Sequence, residues 1–313
     1  MRTGLWIVLA VLLPISAGGA DLYGVAFSGS AYIAARSDGD AHRGGVSGSA
    51  WVVLETGSST PLHGVAHHAG LFVVVGEAGT IARSSDDGFN WSLESSPVSV
   101  TLRNALSVGI QLVAVGDAGT TLRRTSTSAV WDTTLSPGSA DLYDVAASGN
   151  FLVAVGDAGT VLRSVDQGLS WQRQQISGAP DLRGVAAIST TFIAVGRGGA
   201  LYRSTDNGGS WSSVSSPTSA DLYDVAADGR FVSVGQGGTV VRGSSSGASG
   251  SWALVPTPVT SDLRRILYDG SRFLVVGDSE VVMRSLDGTS WIQTAVEGAS
   301  WSDVKSLYRT SPR

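Results

Sequence analysis

Four histidines, His42, His63, His67 and His68, fall within 27 residues and are the first place to look for metal or acid–base chemistry. Strand alternation would put His63 and His67 on one face and His68 on the other. No acidic residue completes a ligand set at useful spacing, so ordinary polar placement is expected, with no metal and no cofactor. Gly243-Ser244-Ser245-Ser246-Gly247 has the form of a nucleophile elbow. It lies in a Ser/Gly-rich turn without a following helix, so the context that makes such a serine reactive is missing. There is no Gly-Lys pair for a phosphate-binding loop and no cysteine for thiolate, disulfide or iron–sulfur chemistry. The sole lysine is Lys305 and the net charge is -5, which argues against a nucleic-acid partner. No catalytic residue is assigned.

The elements that must carry these residues repeat. Seven tryptophans, Trp51, Trp91, Trp131, Trp171, Trp211, Trp252 and Trp291, are spaced 40, 40, 40, 40, 41 and 39 residues apart. Leucines keep step at 22, 62, 102, 142, 182, 222 and 263, and arginines at 43, 83, 123, 163, 203, 242 and 284. In the unit from Asp141 to Pro180, Leu142 to Ala147 is a short apolar run and Phe151 to Val155 is apolar on both faces. Thr160 to Arg163 makes a third strand, and Trp171 to Ile176 a more polar fourth. Glycine turns separate them. A 40-residue unit of four strands, each sheet apolar on both faces, is the period of a propeller blade. The expected fold is all-β, a seven-bladed β-propeller over 21–300 with four antiparallel strands per blade.

Within each unit, the link between the third and fourth strands has its own pattern. Ser84-x-Asp86-x-Gly88-x-x-Trp91 recurs as Ser164-x-Asp166-x-Gly168-x-x-Trp171 and Ser204-x-Asp206-x-Gly208-x-x-Trp211. A one-residue-shorter version runs from Ser285 through Asp287 to Trp291. Serine and aspartate oxygens can accept backbone N–H groups of the turn, and glycine permits a positive φ. Asp86, Asp166, Asp206 and Asp287 are therefore read as structural. The units ending at Trp51, Trp131 and Trp252 keep the tryptophan without the Ser-Asp-Gly frame.

This pattern resembles the Asp-box, or BNR, repeat. With the preceding turn, Val155 to Trp171 is similar to the repeat of the Ycf48/Hcf136-like photosystem II assembly-factor propellers, within the WD40/YVTN-like superfamily. The resemblance spans essentially all of 21–300. It implies a seven-bladed, exported, non-enzymatic protein that aids assembly of another protein. Asp-box propellers also occur in sialidases and other glycoside hydrolases, so a carbohydrate-binding or glycan-cleaving propeller is the alternative. Against cleavage, glutamate occurs only five times, and a Phe/Tyr-Arg-Ile-Pro motif is absent.

Positions that vary inside the register are free to serve binding. The residue after each opening leucine reads Tyr23, His63, Arg103, Tyr143, Arg183, Tyr223, Arg264. Strand order places it near the mouth of the central channel. The turn after the second strand, with Glu77, Asp117, Asp157, Arg197, Gln236 and Asp278, should open on the same face. Aromatic and arginine groups suit recognition of a protein partner, because they offer rigid contact area. The same side chains could instead fill space between blades.

At the N-terminus, Arg2, an apolar run from Leu5 to Ile15 and the small residues Ser16 to Ala20 form a secretory signal over 1–20. Cleavage would leave Asp21 first and a charge of -6. No later segment is apolar enough for a transmembrane helix, so a monomer in a periplasm, a thylakoid lumen or the medium is expected. In the C-terminal segment 301–313, Trp301 to Val304 echoes the opening of a unit and is expected to pack on the first blade and help close the ring.

Overall fold

The computed structural model describes residues 19–294 apart from 49, 129 and 135. Residues 1–18 of the expected signal segment and the C-terminal segment 301–313 lie outside the described residues, as does the expected boundary at 300. Seven four-stranded antiparallel sheets follow one another, each built from consecutive strands. We number them blades 1 to 7. Their first, innermost strands are Leu22–Phe27, Leu62–His68, Leu102–Val108, Leu142–Ser148, Leu182–Ile188, Leu222–Ala227 and Leu263–Tyr268. Each packs beside its neighbours, and that of blade 7 packs beside that of blade 1, so the ring is closed. Among the described residues no helix is long and apolar enough to cross a membrane.

The second strands explain why the sheets must stack. Ala31–Arg36 is buried at all six positions, and Leu152 to Gly156 is likewise buried throughout. A strand apolar on both sides needs a neighbour on each face. Seven interblade clusters supply this, and in each the unit's tryptophan packs against the blade before it. Trp131 meets Val73, Val75 and Ile81 of blade 2, and Trp51 meets Leu274, Val276 and Val282 of blade 7. The fourth strands are the polar rim and are short; in blades 3 and 5 they shrink to Asp132–Thr133 and Ser212–Ser213.

In the outer turn of blade 5, Ser204 Oγ accepts from Gly208 N (2.9 Å) and donates to Asp206 Oδ1 (2.7 Å), which accepts from Ser210 N (2.9 Å). Blades 2 and 4 repeat this with Ser84–Asp86 and Ser164–Asp166, and blade 7 has the shorter form with Ser285–Asp287. Burial opposes ionisation of Asp206, but the donors from Ser204, Ser210 and the Gly209 backbone together outweigh it and hold the carboxyl down at about 2.

The blades without the frame have substitutes. In blade 3 the serine is replaced by Arg124, whose guanidinium pairs with the buried Glu94 (2.9 Å) and lies 4.9 Å from the Trp131 ring. Blades 1 and 6 carry Gly44 and Gly243 there. A Cβ on either would sit 2.8 or 2.7 Å from the Trp51 or Trp252 ring, so the tryptophan occupies the serine's space.

Two latches tie blades together at opposite ends. At one, five in-register arginines, Arg43, Arg123, Arg163, Arg203 and Arg284, reach the next blade's outer turn: Arg163 Nε donates to Asn207 O (2.7 Å), and Arg284 Nη1 to Ser47 O (2.7 Å). At the other, an aspartate preceding the opening leucine accepts the middle N–H of the previous blade's turn. Asp141 takes Ala118 N (2.9 Å), Asp181 takes Ala158 N (3.0 Å), and Asp21 takes Ser279 N (3.0 Å). The last bond of each series crosses the joint between blades 7 and 1.

Candidate functional site

In all seven blades the pairing of the first two strands slips by one residue just after the opening leucine. The bulged residues are Tyr23, His63, Arg103, Tyr143, Arg183, Tyr223 and Arg264. A bulge leaves its residue out of the ladder and re-aims its side chain. The fold thus sets seven large side chains around one mouth of the channel, each half-buried.

Several of them meet directly. Tyr23 stacks on His63 with centroids 5.2 Å apart. The Arg183 guanidinium lies 3.9 Å from the Tyr143 ring, Arg103 approaches the same ring at 5.6 Å, and Arg264 sits 4.8 Å over Tyr223. The turn positions stand beside them. Arg103 donates twice to Asp117 (2.7 and 3.0 Å), and Arg264 twice to Asp278 (2.6 and 2.7 Å). Tyr143 donates to Asp157, His63 faces Glu77 at 3.7 Å, and Arg183 and Arg197 share Asp181. Burial, with the bond to Asp157, pushes the Tyr143 hydroxyl up to about 12. Burial and the nearby Arg103 press His63 down to about 4, so its imidazole is neutral at physiological pH.

One residue deeper, the inner strands carry Gly24, Gly64, Asn104, Asp144, Gly184, Asp224 and Arg265. The strands approach closely here: a Cβ on Gly64 would lie 2.6 Å from Asn104 Cα, and one on Gly184 equally near Asp224 Cα. Arg265 of blade 7 reaches across the channel to Asp144 of blade 4 (2.9 Å) and lies 3.5 Å from Asp224 of blade 6. Asn104 also donates to Asp144, while Val185 N and Ile266 N donate to Asp144 and Asp224 at 2.7 and 2.8 Å. Burial raises Asp224 to about 7, with Arg265 opposing the rise and Asp144 adding to it. This plug was not among the residues singled out from the sequence. The available signal was charge in an otherwise apolar inner strand.

The arrangement was compared with known proteins. No protein-family model matches the chain, and no curated protein does. In fold, the chain resembles YCF48. A solved structure titled "YCF48 bound to D1 peptide" superposes with a TM-score of 0.71 at 15% identity, covering 86% of this chain and 93% of that one. YCF48 from Cyanidioschyzon merolae gives 0.70 at 16% identity, with 86% and 96% covered. The WD40 β-propeller domain of Doa1 gives 0.70 at 14% identity, covering 90% of this chain and 96% of that one. At such identities the likeness to YCF48 and to Doa1 is one of architecture.

The histidines are dispersed. His63 belongs to the mouth, whereas His67 lies further along the channel, tilted against Phe72 at 4.6 Å. His42 is buried beside Arg36, and burial followed by that arginine's charge lowers it to about 3. Among the described residues no group of three or more His, Asp or Glu could hold a metal. Ser245 is an exposed turn residue, and Gly243 serves the Trp252 ring.

Proposed function

We propose that this protein is an exported, non-enzymatic scaffold that binds a segment of a partner protein at the mouth ringed by Tyr23, His63, Arg103, Tyr143, Arg183, Tyr223 and Arg264. The observation that carries the reading is the seven-fold bulge, which sets a tyrosine, histidine or arginine side chain of every blade at one mouth. The arginines there are held by aspartates and laid over tyrosine rings, so their geometry is set before a partner arrives. Such preorganisation lowers the entropic cost of binding. The Asp-box reading of Asp86, Asp166, Asp206 and Asp287 assigns those carboxylates to turn structure.

The solved YCF48 structure with a D1 peptide supports a protein ligand for a propeller of this shape. By the resemblance of its repeat to assembly-factor propellers, the partner is a protein under assembly. Residues 1–20 direct export to a periplasm or lumen, where the propeller acts as a monomer. The reading is tested by substituting Tyr143→Ala and Arg183→Ala together and measuring retention of the co-isolated partner. Loss of the partner with an unchanged melting temperature is expected; full retention would overturn it. Export is tested by fractionating cells that express the whole chain, with recovery of a mature form beginning at Asp21.

A further inference from the structure

The seven interblade tryptophans are not equally covered. Trp51, Trp131, Trp171, Trp252 and Trp291 are buried, whereas Trp91 and Trp211 are only half-buried. The residue 37 positions earlier, on the preceding blade's fourth strand, can meet the indole N–H. Trp131 Nε1 donates to Glu94 (3.1 Å), and Trp171 Nε1 to Thr134 Oγ1 (3.3 Å). Trp211 Nε1 instead donates to Gly208 O in its own turn (3.3 Å), so the matching Gln174 is not used by the ring. Trp91 likewise donates to Gly88 O (3.0 Å), but its matching residue is Leu54, which has no polar side-chain atom.

Around Trp211 the rim opens into a groove of about 630 Å³ between blades 4 and 5, a volume usual for a small-ligand site. Gln174, Ile176 and Ser177 of blade 4 face Tyr202, Trp211 and Ser213 of blade 5 across it. Among the described residues, the Gln174 amide and the hydroxyls of Ser177, Tyr202 and Ser213 have no hydrogen-bond partner. Each of these groups can both donate and accept. No charged side chain lines the groove. One bond behind it, Asp206 accepts from Ser210 Oγ (2.7 Å) and is kept ionised, which disfavours an anion. A purely apolar ligand would leave the amide and hydroxyls unpaired, at a cost for each. The groove thus suits a neutral ligand with one apolar face and many hydroxyls.

We propose that this groove binds a neutral saccharide, a pyranose laid on the open part of the Trp211 indole with its hydroxyls bonded to Gln174, Tyr202 and Ser213. A flat ring favours a sugar whose hydroxyls are all equatorial, because its faces then carry only C–H groups. That is the β-glucoside form. The groove lies on the outer rim, away from the partner-binding mouth, and its test does not depend on that reading.

The probe is cellobiose, titrated calorimetrically against the whole protein at neutral pH, with sialyllactose as the anionic control. Saturable cellobiose binding is expected, and sialyllactose should bind about tenfold more weakly. Trp211→Ala should abolish binding. Because that ring also packs against Val153 and Val161 of blade 4, two gentler variants keep the test independent of folding. Gln174→Leu and Tyr202→Phe each remove polar atoms from the groove while keeping most of the bulk. Each should weaken cellobiose about fivefold with an unchanged melting temperature. Trp91→Phe, at the other half-buried tryptophan, should leave binding as it is. Cellotetraose separates the sources: tighter binding than cellobiose assigns the groove to a polysaccharide, and equal binding assigns it to a short saccharide. Absence of saturable cellobiose binding, equal affinity for sialyllactose, or binding undisturbed by both Gln174→Leu and Tyr202→Phe overturns the proposal.

Discussion

Asp21 and Ser279 are 258 positions apart in sequence, yet Asp21 Oδ1 accepts a 3.0 Å hydrogen bond from the Ser279 backbone N–H. The same bond joins Asp141 to Ala118, Asp181 to Ala158, Asp221 to Gly198 and Asp262 to Gly237, between blades adjacent in the chain. The ring is thus closed by the device that joins its successive blades. Pro61 and Thr101 stand at the corresponding positions of blades 2 and 3, which therefore lack the carboxylate.

Asp21→Ala removes the acceptor at the closing joint. A hydrogen bond to a charged group contributes roughly 1.5–3 kcal/mol, and partial exposure of Asp21 argues for the lower end. The expected cost of about 1–2 kcal/mol corresponds to a fall of several degrees in melting temperature. Glu55→Ala, at an exposed position of the same end, should leave it unchanged. Equal melting of both variants would show that the latch contributes nothing.

Gly44→Ser restores the residue type that blades 2, 4, 5 and 7 carry at that position. It should nonetheless destabilise, because its Cβ would meet the Trp51 ring at 2.8 Å. Overpacking of this kind costs about 1–3 kcal/mol. Denaturant titration checks it, and a rise in the unfolding midpoint would contradict the packing described for blades 1 and 6.

Stability should pass through a maximum near neutral pH. His42 and His63 sit at about 3 and about 4 in the fold, below the ordinary histidine value near 6.5. They take up protons on unfolding, so stability falls as pH drops below about 6.5. Asp224 is the opposite case, raised to about 7. Its contribution is present below the ordinary carboxyl value near 3.9 and is lost as pH rises through 7. Two histidines outweigh one aspartate on the acid side; above about 6.5 the aspartate alone remains. Unfolding free energies measured from pH 4.5 to 8 should show this shape. In His63→Phe the acid-side slope should shrink by up to about 1.4 kcal/mol per pH unit.

The architecture was legible because each blade repeats the same local problem, an apolar strand between two glycine turns, at a fixed 40-residue period. Tyr143 and Arg183 stood out as candidates for a related reason: positions that vary within a register are conspicuous once the register is known. The bulge that aims them was not, since nothing in Leu142-Tyr143-Asp144 marks a slipped pairing. The Asp144–Arg265 pair is 121 positions apart and joins blades that are not neighbours, so no repeat arithmetic brings it together. The Arg124–Glu94 pair escaped for the converse reason, because it replaces the serine frame in one blade only.

The central claim is that the partner sits at the mouth ring, and site-specific photo-crosslinking tests it most directly. A benzophenone side chain placed at Tyr223, in the ring, is compared with one at Leu254, which is 56% exposed on the outer rim. The account requires one protein adduct from position 223, identified by mass spectrometry, that disappears when Tyr143→Ala and Arg183→Ala are added. An adduct to that protein from position 254 and none from 223 would contradict it.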